Sequence, residues 1–464
     1  MDIQHLTLTE AKRLIEEREI TPLDLTQAIL ERIDQFNPTL NCYLSVFREE
    51  ALAKAERLTK RLHNLRSLNP LYGIPIGIKD ILAVRRHPLR AGSKIWEGYL
   101  PRQDARAVER LRRSGAIFVG YHNMHEIALG VTNLNPHFGA VRNPWRTDCI
   151  SGGSSGGSAA AVVAGLCLGA LGTDTGGSIR IPASLCGAVG LKPTFGRVSL
   201  RGVLPLSWNL DHVGPLGRCV ADVALLYRLI AGYDAQDVVS VQRAVGNPLA
   251  RLDAGVGGLR IALAQDDFFT QAEVEVLQAV RAAAQVFQSL GAVVEEAEVP
   301  QGLLAAQTNS LMVISDAAAI YEKQRLEHPE LFGEDILQRL QNGAAVTVSQ
   351  YIQARRTQTI LQRQYRQFFT RYDLLLTPTT PLTAPPIEGR DSIEAARILT
   401  RFTAPFNLTG LPALSVPCGF NREGLPIGLQ LVANTWREEL LLRAGYAYEQ
   451  ATNAHHQFAW SDRP

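Results

Sequence analysis

The chain has 464 residues, of which 46% are hydrophobic and 20% charged, a composition typical of globular proteins. Lys and Arg number 47 against 45 Asp and Glu, so the formal net charge is +2 and no basic stripe marks a nucleic-acid surface. The longest small and apolar stretch, 159–172, is shorter than the roughly 20 residues of a membrane span. Charged residues occupy the positions where a signal peptide has its apolar core. We therefore expect a cytoplasmic protein that binds neither nucleic acid nor membrane.

The first 65 residues have the apolar spacing of amphipathic helices. The apolar residues that recur at three- and four-residue steps are Leu14, Ile15, Leu25, Ile29, Leu30 and Ile33. Thr21 followed by Pro22 is a typical helix start, with Thr21 as the cap. We expect residues 1–65 to form a helical segment packed on the same domain as residues 66–464, so that the whole chain is one compact domain.

From Leu71 onward, short apolar runs alternate with helical stretches. The predicted strands are 74–78, 116–119, 170–173, 259–264, 293–294, 374–376 and 413–416. The predicted helices are 105–114, 158–168, 220–231 and 272–290, followed by a mainly helical segment, 306–372. The prolines between 378 and 386 predict a loop near the surface. This alternation predicts an α/β fold with a largely parallel or mixed sheet.

The cysteines and histidines do not form a recognisable metal site. The six cysteines lack a CxxC pair, so buried thiols are a simpler interpretation than a zinc site or a disulfide framework. Cys149 lies just before a Gly/Ser loop and is an alternative nucleophile, but the spacing supplies no partner for it. His122, His125 and Glu126 form H-x-x-H-E, which matches neither zincin motif. We expect no metal and no cofactor.

Two Gly/Ser-rich turns one helix apart carry the strongest functional signal. They are SGGSSGGS at 151–158 and GTDTGGSIR at 172–180. A flexible linker is the ordinary interpretation of such composition, but here a helix of small residues and a short strand lie between the turns. The phosphate-binding glycine motifs are absent from the sequence. Residues 152–156 satisfy G-x-S-x-G, yet polar residues precede them where a nucleophile elbow needs a buried strand.

A serine nucleophile in these turns would need a base other than histidine, and Lys79 is the remaining candidate. Lys79 ends the apolar run LYGIPIGIK. A lysine at a strand end is usually exposed to solvent. If the strand carries it into the interior, desolvation lowers its pKa and makes the neutral amine available as a base. Function near neutral pH needs a pKa roughly 3 units below the usual value of about 10.4, at a cost of about 4 kcal/mol.

Two long motifs identify the family that this chain resembles. They are GGSSGGSAA at 152–160 and GTDTGGSIRIPASLCGAVGLKPTFGRVS at 172–199. Together with GIPIGIKD around Lys79, N-M-x-E at 123–126 and FNLTGLPALSVPCGF near the C-terminus, they resemble the amidase signature family of serine hydrolases over nearly the whole chain. The resemblance implies one large mixed β-sheet covered by helices on both faces.

The resemblance also implies a Ser-cisSer-Lys triad. Ser178 would be the nucleophile and Lys79 the base, while Ser154, preceded by a cis peptide in this family, would relay the proton between them. A carboxamide would then be hydrolysed to carboxylate and ammonia through an acyl-enzyme on Ser178.

Further residues take roles from the same resemblance. The backbone N–H groups of Thr175, Gly176, Gly177 and Ser178 would form the oxyanion hole, next to Ser154. Asp174 and Arg180 resemble the residues that brace this loop. The backbone of Ala128 would line the substrate pocket, with 128–132 as a weaker pocket prediction.

Three functions are compatible with the resemblance: a stand-alone amidase, the glutaminase subunit of a tRNA-dependent amidotransferase complex, and a catalytically dead binding protein. Residues 178–183 are SIRIPA, with Ile181 at the position where the glutamine-using subunits have Gln in the motif SIRQPA. Thr400 stands where they carry an Asp for the α-amino group of glutamine, a charge-assisted bond worth roughly 1.5 to 3 kcal/mol. These two departures favour a stand-alone amidase with a small-molecule amide substrate, and the presence of all three triad residues favours an active enzyme over a dead binding protein. The pocket walls are predicted in 306–349 and 390–403, and the N-terminal helices could pair two subunits in a homodimer.

Overall fold

The computed structural model describes residues 5–452, and an 11-stranded sheet forms the centre of that part of the chain. The strands, numbered along the chain, are β1 (Tyr43–Val46), β2 (Pro75–Lys79), β3 (Ile117–His122), β4 (Leu134–Asn135), β5 (Gly139–Ala140), β6 (Gly169–Thr173), β7 (Val189–Lys192), β8 (Val213–Gly217), β9 (Arg260–Ala264), β10 (Val293–Ala297), β11 (Leu374–Pro378), β12 (Ala413–Phe420) and β13 (Pro426–Ala433). Strands β4 and β5 form a separate hairpin.

The large sheet is mixed, with the order β1-β3-β2-β6-β8-β7-β12-β13-β11-β9-β10. Strands β3, β2 and β6 run parallel to one another, as do β11, β9 and β10. The remaining neighbours are antiparallel.

Fifteen α-helices of the described residues surround this sheet. They are α1 (Leu8–Glu16), α2 (Pro22–Leu40), α3 (Arg48–Leu62), α4 (Arg106–Arg113), α5 (Gly156–Val163), α6 (Arg180–Cys186), α7 (Val220–Ile230), α8 (Val274–Ser289), α9 (Gly302–Ile320), α10 (Glu322–Glu327), α11 (Glu334–Ala344), α12 (Val348–Phe368), α13 (Ser392–Leu399), α14 (Ala404–Leu408) and α15 (Glu438–Thr452).

The burial of the strands shows that helices cover both faces of the sheet. Every residue of β2, β3, β6, β7, β8, β11 and β13 is buried. Since successive side chains of a strand point to opposite faces, burial of every residue requires a covering layer on each side. The predicted α/β fold with one large, two-sided mixed sheet is therefore confirmed.

The N-terminal segment adds a strand to the predicted helices. Thr21 caps α2 through a capping box with Asp24, so the predicted helix start at Thr21 and Pro22 is confirmed. Strand β1 lies between α2 and α3 and pairs with β3, which attaches this segment to the edge of the large sheet. The division at residue 65 stays a prediction, and residues 453–464, the end of the predicted 66–464 unit, lie outside the described residues.

The proline-rich stretch after β11 was predicted as a surface loop, and that prediction is wrong for its first part, because Pro378 and Pro381 are buried and only Pro386 at its end is exposed. Thr379 and Ala384 are buried. The loop continues the sheet, because the Thr379 N–H donates to the carbonyl of Gly428 and its hydroxyl bonds to Ser415. Prolines can follow a strand into the interior when neighbouring backbone groups find partners in this way.

One helix among residues 5–452, α9, has the length and apolar composition of a membrane span. It packs against α11, α12 and α14.

Candidate active site

The carboxyl ends of two parallel strands bring a lysine and two hydroxyl groups together. Lys79 ends β2 and Thr173 ends the neighbouring strand β6. The Lys79 side chain is fully buried, and its Nζ donates to Ser154 Oγ at 2.7 Å and to Thr173 Oγ1 at 2.8 Å. The structure thus brings together two of the predicted site residues, Lys79 and Ser154. Thr173 was not among the predicted site residues, although it directly precedes Asp174 in the second glycine-rich motif.

Burial changes the acid–base behaviour of this lysine. Desolvation lowers the pKa of Lys79 from 10.5 to about 7, although the negative charges of Asp174 and Asp211 act in the opposite direction. Half of the amine is therefore neutral near pH 7. A neutral amine has a lone pair, which a general base requires.

The first Gly/Ser turn lies directly against the second. The peptide bond between Gly153 and Ser154 is cis. The Ser155 N–H donates to the Ser178 carbonyl at 3.1 Å, which ties the two turns together. A Cβ on Gly157 would lie 2.3 Å from the carbonyl oxygen of Asn123, so only glycine allows this close backbone approach.

The second turn presents a row of unused donors. Within residues 5–452, no acceptor is bonded to the N–H groups of Thr175, Gly176, Gly177 and Ser178. The carbonyl of Thr175 accepts from Asn309 Nδ2 at 3.3 Å, and that of Gly176 accepts from Thr403 Oγ1 at 2.6 Å. In a trans peptide unit the carbonyl and the N–H point in opposite directions. These two bonds therefore direct the N–H groups of Gly176 and Gly177 away from Asn309 and Thr403.

Gly177 has a backbone that other residues rarely adopt. Its φ is +136°, and a Cβ would lie 2.2 Å from Thr403 Oγ1. Glycine is therefore required by both conformation and space.

A buried ion pair lies immediately beneath this turn. Arg180 donates through Nε to Asp174 Oδ2 at 3.0 Å and through Nη2 to Oδ1 at 2.9 Å, and neither side chain is exposed. Burial alone would raise the pKa of Asp174, but Arg180 and Lys192 hold it well below its usual value. The same carboxylate accepts from the N–H of Ile179 at 3.1 Å. This geometry supports the predicted bracing role, because the pair fixes the chain directly after Ser178.

A cavity of about 840 Å³ has Ser178 in its wall. Ala128, Leu129, Gly130 and Val131 of the weaker pocket prediction line it, whereas Thr132 does not. Both predicted wall segments contribute, and the cavity is also lined by residues that the sequence did not indicate: Leu206, Phe268, Gln271, Leu303 and Pro381. Those five come from loops and a helix end far apart in the chain, where no local pattern indicates a pocket.

The charged side chains of the cavity are all cationic. Arg339, Arg397 and Arg401 line it, and no Asp or Glu of the described residues does. Arg397 is paired with Glu394, whereas Arg339 and Arg401 form no ion pair within residues 5–452. The Nε atoms of both are buried without a hydrogen-bond partner. Thr400 lies in the same wall.

The alternative residues from the sequence have different surroundings. Burial raises the pKa of the Cys149 thiol, which disfavours the reactive thiolate. Desolvation lowers the pKa of His122 to about 3, so this ring is neutral at physiological pH. It bonds to Ser158, while His125 and Glu126 bond to other protein groups.

Known proteins resemble this chain over nearly its full length. The family model described as Amidase matches residues 24–442. The chain belongs to the amidase signature family. It is therefore an enzyme of a hydrolase family that acts on amide C–N bonds. The A subunit of glutamyl-tRNA(Gln) amidotransferase from Chloroflexus aurantiacus (strain ATCC 29366 / DSM 635 / J-10-fl) is 38% identical over 98% of both chains.

Two solved structures are similar to this amidase-family chain. One, from a vestigial protein complex linked to the origins of an s-triazine catabolic enzyme, has a TM-score of 0.92 at 32% identity, covering 96% of this chain and 99% of that one. The other, described as an amidase, has a TM-score of 0.85 at 38% identity and the same two coverages, 96% and 99%.

Proposed function

We propose that this protein is an amidase that hydrolyses a carboxamide bearing an anionic group to carboxylate and ammonia. The observation that carries the proposal is the buried amine of Lys79, bonded to Ser154 beside the four unused N–H groups of residues 175–178. Such a site has a base with a pKa near neutrality and donors for an oxyanion. We propose that it works in the cytoplasm on a small-molecule amide.

In the proposed mechanism, Ser178 is the nucleophile. Neutral Lys79 removes the proton of Ser154 as Ser154 removes that of Ser178, whose oxygen attacks the amide carbon. The N–H groups of 175–178 stabilise the oxyanion that forms. When the C–N bond breaks, the proton returns through Ser154 to the leaving nitrogen, which departs as ammonia. Water then hydrolyses the ester on Ser178.

The two unpaired arginines support an anionic substrate. A guanidinium that lines a cavity without a carboxylate partner is suited to bind a carboxylate of the ligand. Burial lowers the pKa of Arg339, although Asp335 and Asp391 oppose the shift, so a bound anion would compensate a desolvated charge. Arg401 stacks 4.9 Å from the Phe268 ring and donates to Gln271 at 2.6 Å, which fixes its orientation.

The glutaminase subunit of a tRNA-dependent amidotransferase is the second candidate. The 38% identity to such an amidotransferase chain over 98% of both sequences favours it. Glutamine, however, carries an ammonium beside its carboxylate. Among the described residues the cavity wall has no carboxylate for that ammonium, and Thr400 occupies the predicted position of one. The charges of the cavity therefore favour an anionic amide without an α-amino group.

Two experiments test the proposal. A fluorophosphonate should label the protein on Ser178, with labelling lost in Ser178→Ala; an adduct that persists unchanged in that variant would contradict the assignment. The substrate class is tested with glutaramate and glutaramide, in which an uncharged amide replaces the carboxylate. Because glutaramide has two equivalent amides and its hydrolysis yields glutaramate, initial rates are compared per amide group. We expect glutaramate to have at least a ~10-fold higher kcat/KM, the value of one charge-assisted bond. Equal values would remove the anionic class.

A further inference from the structure

The side chains of two consecutive residues, His125 and Glu126, contact the start of helix α11. Glu126 Oε2 accepts from the N–H of Gly333, the residue before α11, at 2.8 Å. His125 Nε2 lies 3.3 Å from Asp335 Oδ2 in the first turn of the helix. The side chains of His125 and Glu126 are fully buried. The start of α11 is thus fixed to the segment that leads to the cavity wall at Ala128.

The same segment is bonded to the first Gly/Ser turn. The backbone N–H of His125 donates to the carbonyl of Ser154 at 3.2 Å. His125 is therefore in contact with Ser154 through its main chain and with α11 through its ring.

One turn further along α11, Arg339 enters the cavity wall. Asp335 and Arg339 are four residues apart, so they share a face of the helix. Arg339 Nη2 donates to the carbonyl of Ser392 at 2.7 Å. The Ser392 hydroxyl lies 3.1 Å from Thr132 Oγ1, which lies 3.4 Å from His125 Nδ1.

These contacts connect the His125 ring to Arg339 by two routes. One ring nitrogen contacts Asp335 of α11, the helix that carries Arg339. The other contacts Thr132, whose hydroxyl contacts Ser392, and the Ser392 carbonyl accepts from Arg339. The ring packs directly against Gly130 of the cavity wall, where an added Cβ would lie only 2.0 Å from His125 Nε2. Both elements that orient the guanidinium are thereby in contact with the same ring.

We propose that His125 is a positioning residue for the anion-binding Arg339, so that the preference for an anionic amide depends on His125. This inference rests on the proposed function, because it concerns the arginine that would bind the substrate carboxylate. His125 contacts no reacting atom in this account and acts only through α11 and Ser392.

The two ring contacts can be separated by substitution. In His125→Gln the amide can reach the place of Nε2 and keep the contact with Asp335, whereas His125→Asn can reach only the place of Nδ1. We expect His125→Asn to lower the kcat/KM ratio of glutaramate over glutaramide about ten-fold, mainly through the KM of glutaramate. His125→Gln should restore part of that ratio. A purely structural role would instead lower kcat for both amides in parallel.

A double-mutant cycle separates this inference from the proposed function. Arg339→Gln should remove the preference for glutaramate, and adding His125→Asn to it should have no further effect on the ratio. If the unsubstituted enzyme shows no preference, the proposed substrate class fails. If the preference exists and depends on Arg339 but is unchanged in His125→Asn, only the positioning role fails. Should His125→Asn not fold, as judged by thermal melting, Thr132→Val takes its place, because it removes the hydroxyl that links the His125 ring to Ser392 without changing any charge. Thr132→Val should lower the glutaramate preference as far as His125→Gln does, and an unchanged preference would refute the positioning role.

Discussion

The burial of Lys79 leads to a prediction about stability that is independent of any substrate. Methionine has a side chain of similar length and no charge, so Lys79→Met removes the buried amine. Because the folded pKa is about 7 and the ordinary value 10.5, burial of the charged form costs about 5 kcal/mol at a pH below both values. Between these values the unfolded chain binds a proton that the folded chain does not. The stability of the unsubstituted protein should therefore rise with pH across this window, by about 1.4 kcal/mol per unit relative to Lys79→Met.

The assay is urea unfolding of both proteins between pH 7 and 9.5. The difference in free energy of unfolding should favour Lys79→Met most at pH 7 and shrink by about 3 kcal/mol across this range. Lost hydrogen bonds to Ser154 and Thr173 change the offset but not the slope. Lys60→Met, at an exposed position of α3, is the matched control for replacing a lysine by methionine. A difference that does not vary with pH, or that grows as pH rises, would refute the reasoning.

Four further predictions concern activity and the loop. Because neutral Lys79 is the proposed base, kcat/KM should rise with pH to a plateau, with its midpoint near 7 and about a ten-fold loss per unit below it; a profile flat from pH 6 to 9 contradicts that role. Asp174→Asn should cost about 3 to 5 kcal/mol in urea unfolding, since Arg180 would be left as an unpaired buried charge, and a cost below about 1 kcal/mol would be inconsistent with bracing. Gly177→Ala should lower kcat by about 100-fold or more, whereas Gly176→Ala, whose Cβ would have only an ordinary 3.4 Å contact, should lower it less; equal losses would argue against the geometric account. Thr400→Asp should raise the kcat/KM of glutamine relative to glutaramate, and an unchanged ratio would show that the missing carboxylate at this position does not set the preference.

The fold was predictable where local patterns are strong. All seven predicted strands coincide with observed strands, because apolar runs bounded by Gly and Pro are typical of buried strands. Strands β7, β8 and β13 were missed, since each contains a glycine or a proline, residues that usually indicate turns. The two-residue strands β4 and β5 were missed because they are too short to show a pattern. Strand β1 was hidden between two amphipathic helices.

The candidate site was predictable only where a local sequence pattern indicates its residues. Ser154, Ser178 and the glycines proposed for the oxyanion hole lie within two neighbouring Gly/Ser-rich turns, and Lys79 lies at the end of a visible apolar run. Arg339, by contrast, reaches the cavity from an amphipathic helix on which arginines are ordinarily exposed. Its place depends on contacts with residues more than 50 positions away, such as Ser392, which no local pattern encodes.

The measurement that tests the central claim most directly is ammonia release by the purified chain alone, from glutaramate and from glutamine, with Ser178→Ala as the blank. Glutaramate is glutamine without its α-amino group, so the pair isolates the ammonium for which the cavity wall offers no carboxylate. The account predicts release from glutaramate, with a kcat/KM at least ~10-fold above that of glutamine, and none from the blank. Release from glutamine alone, or only after partner subunits are added, would contradict it and support the amidotransferase function instead.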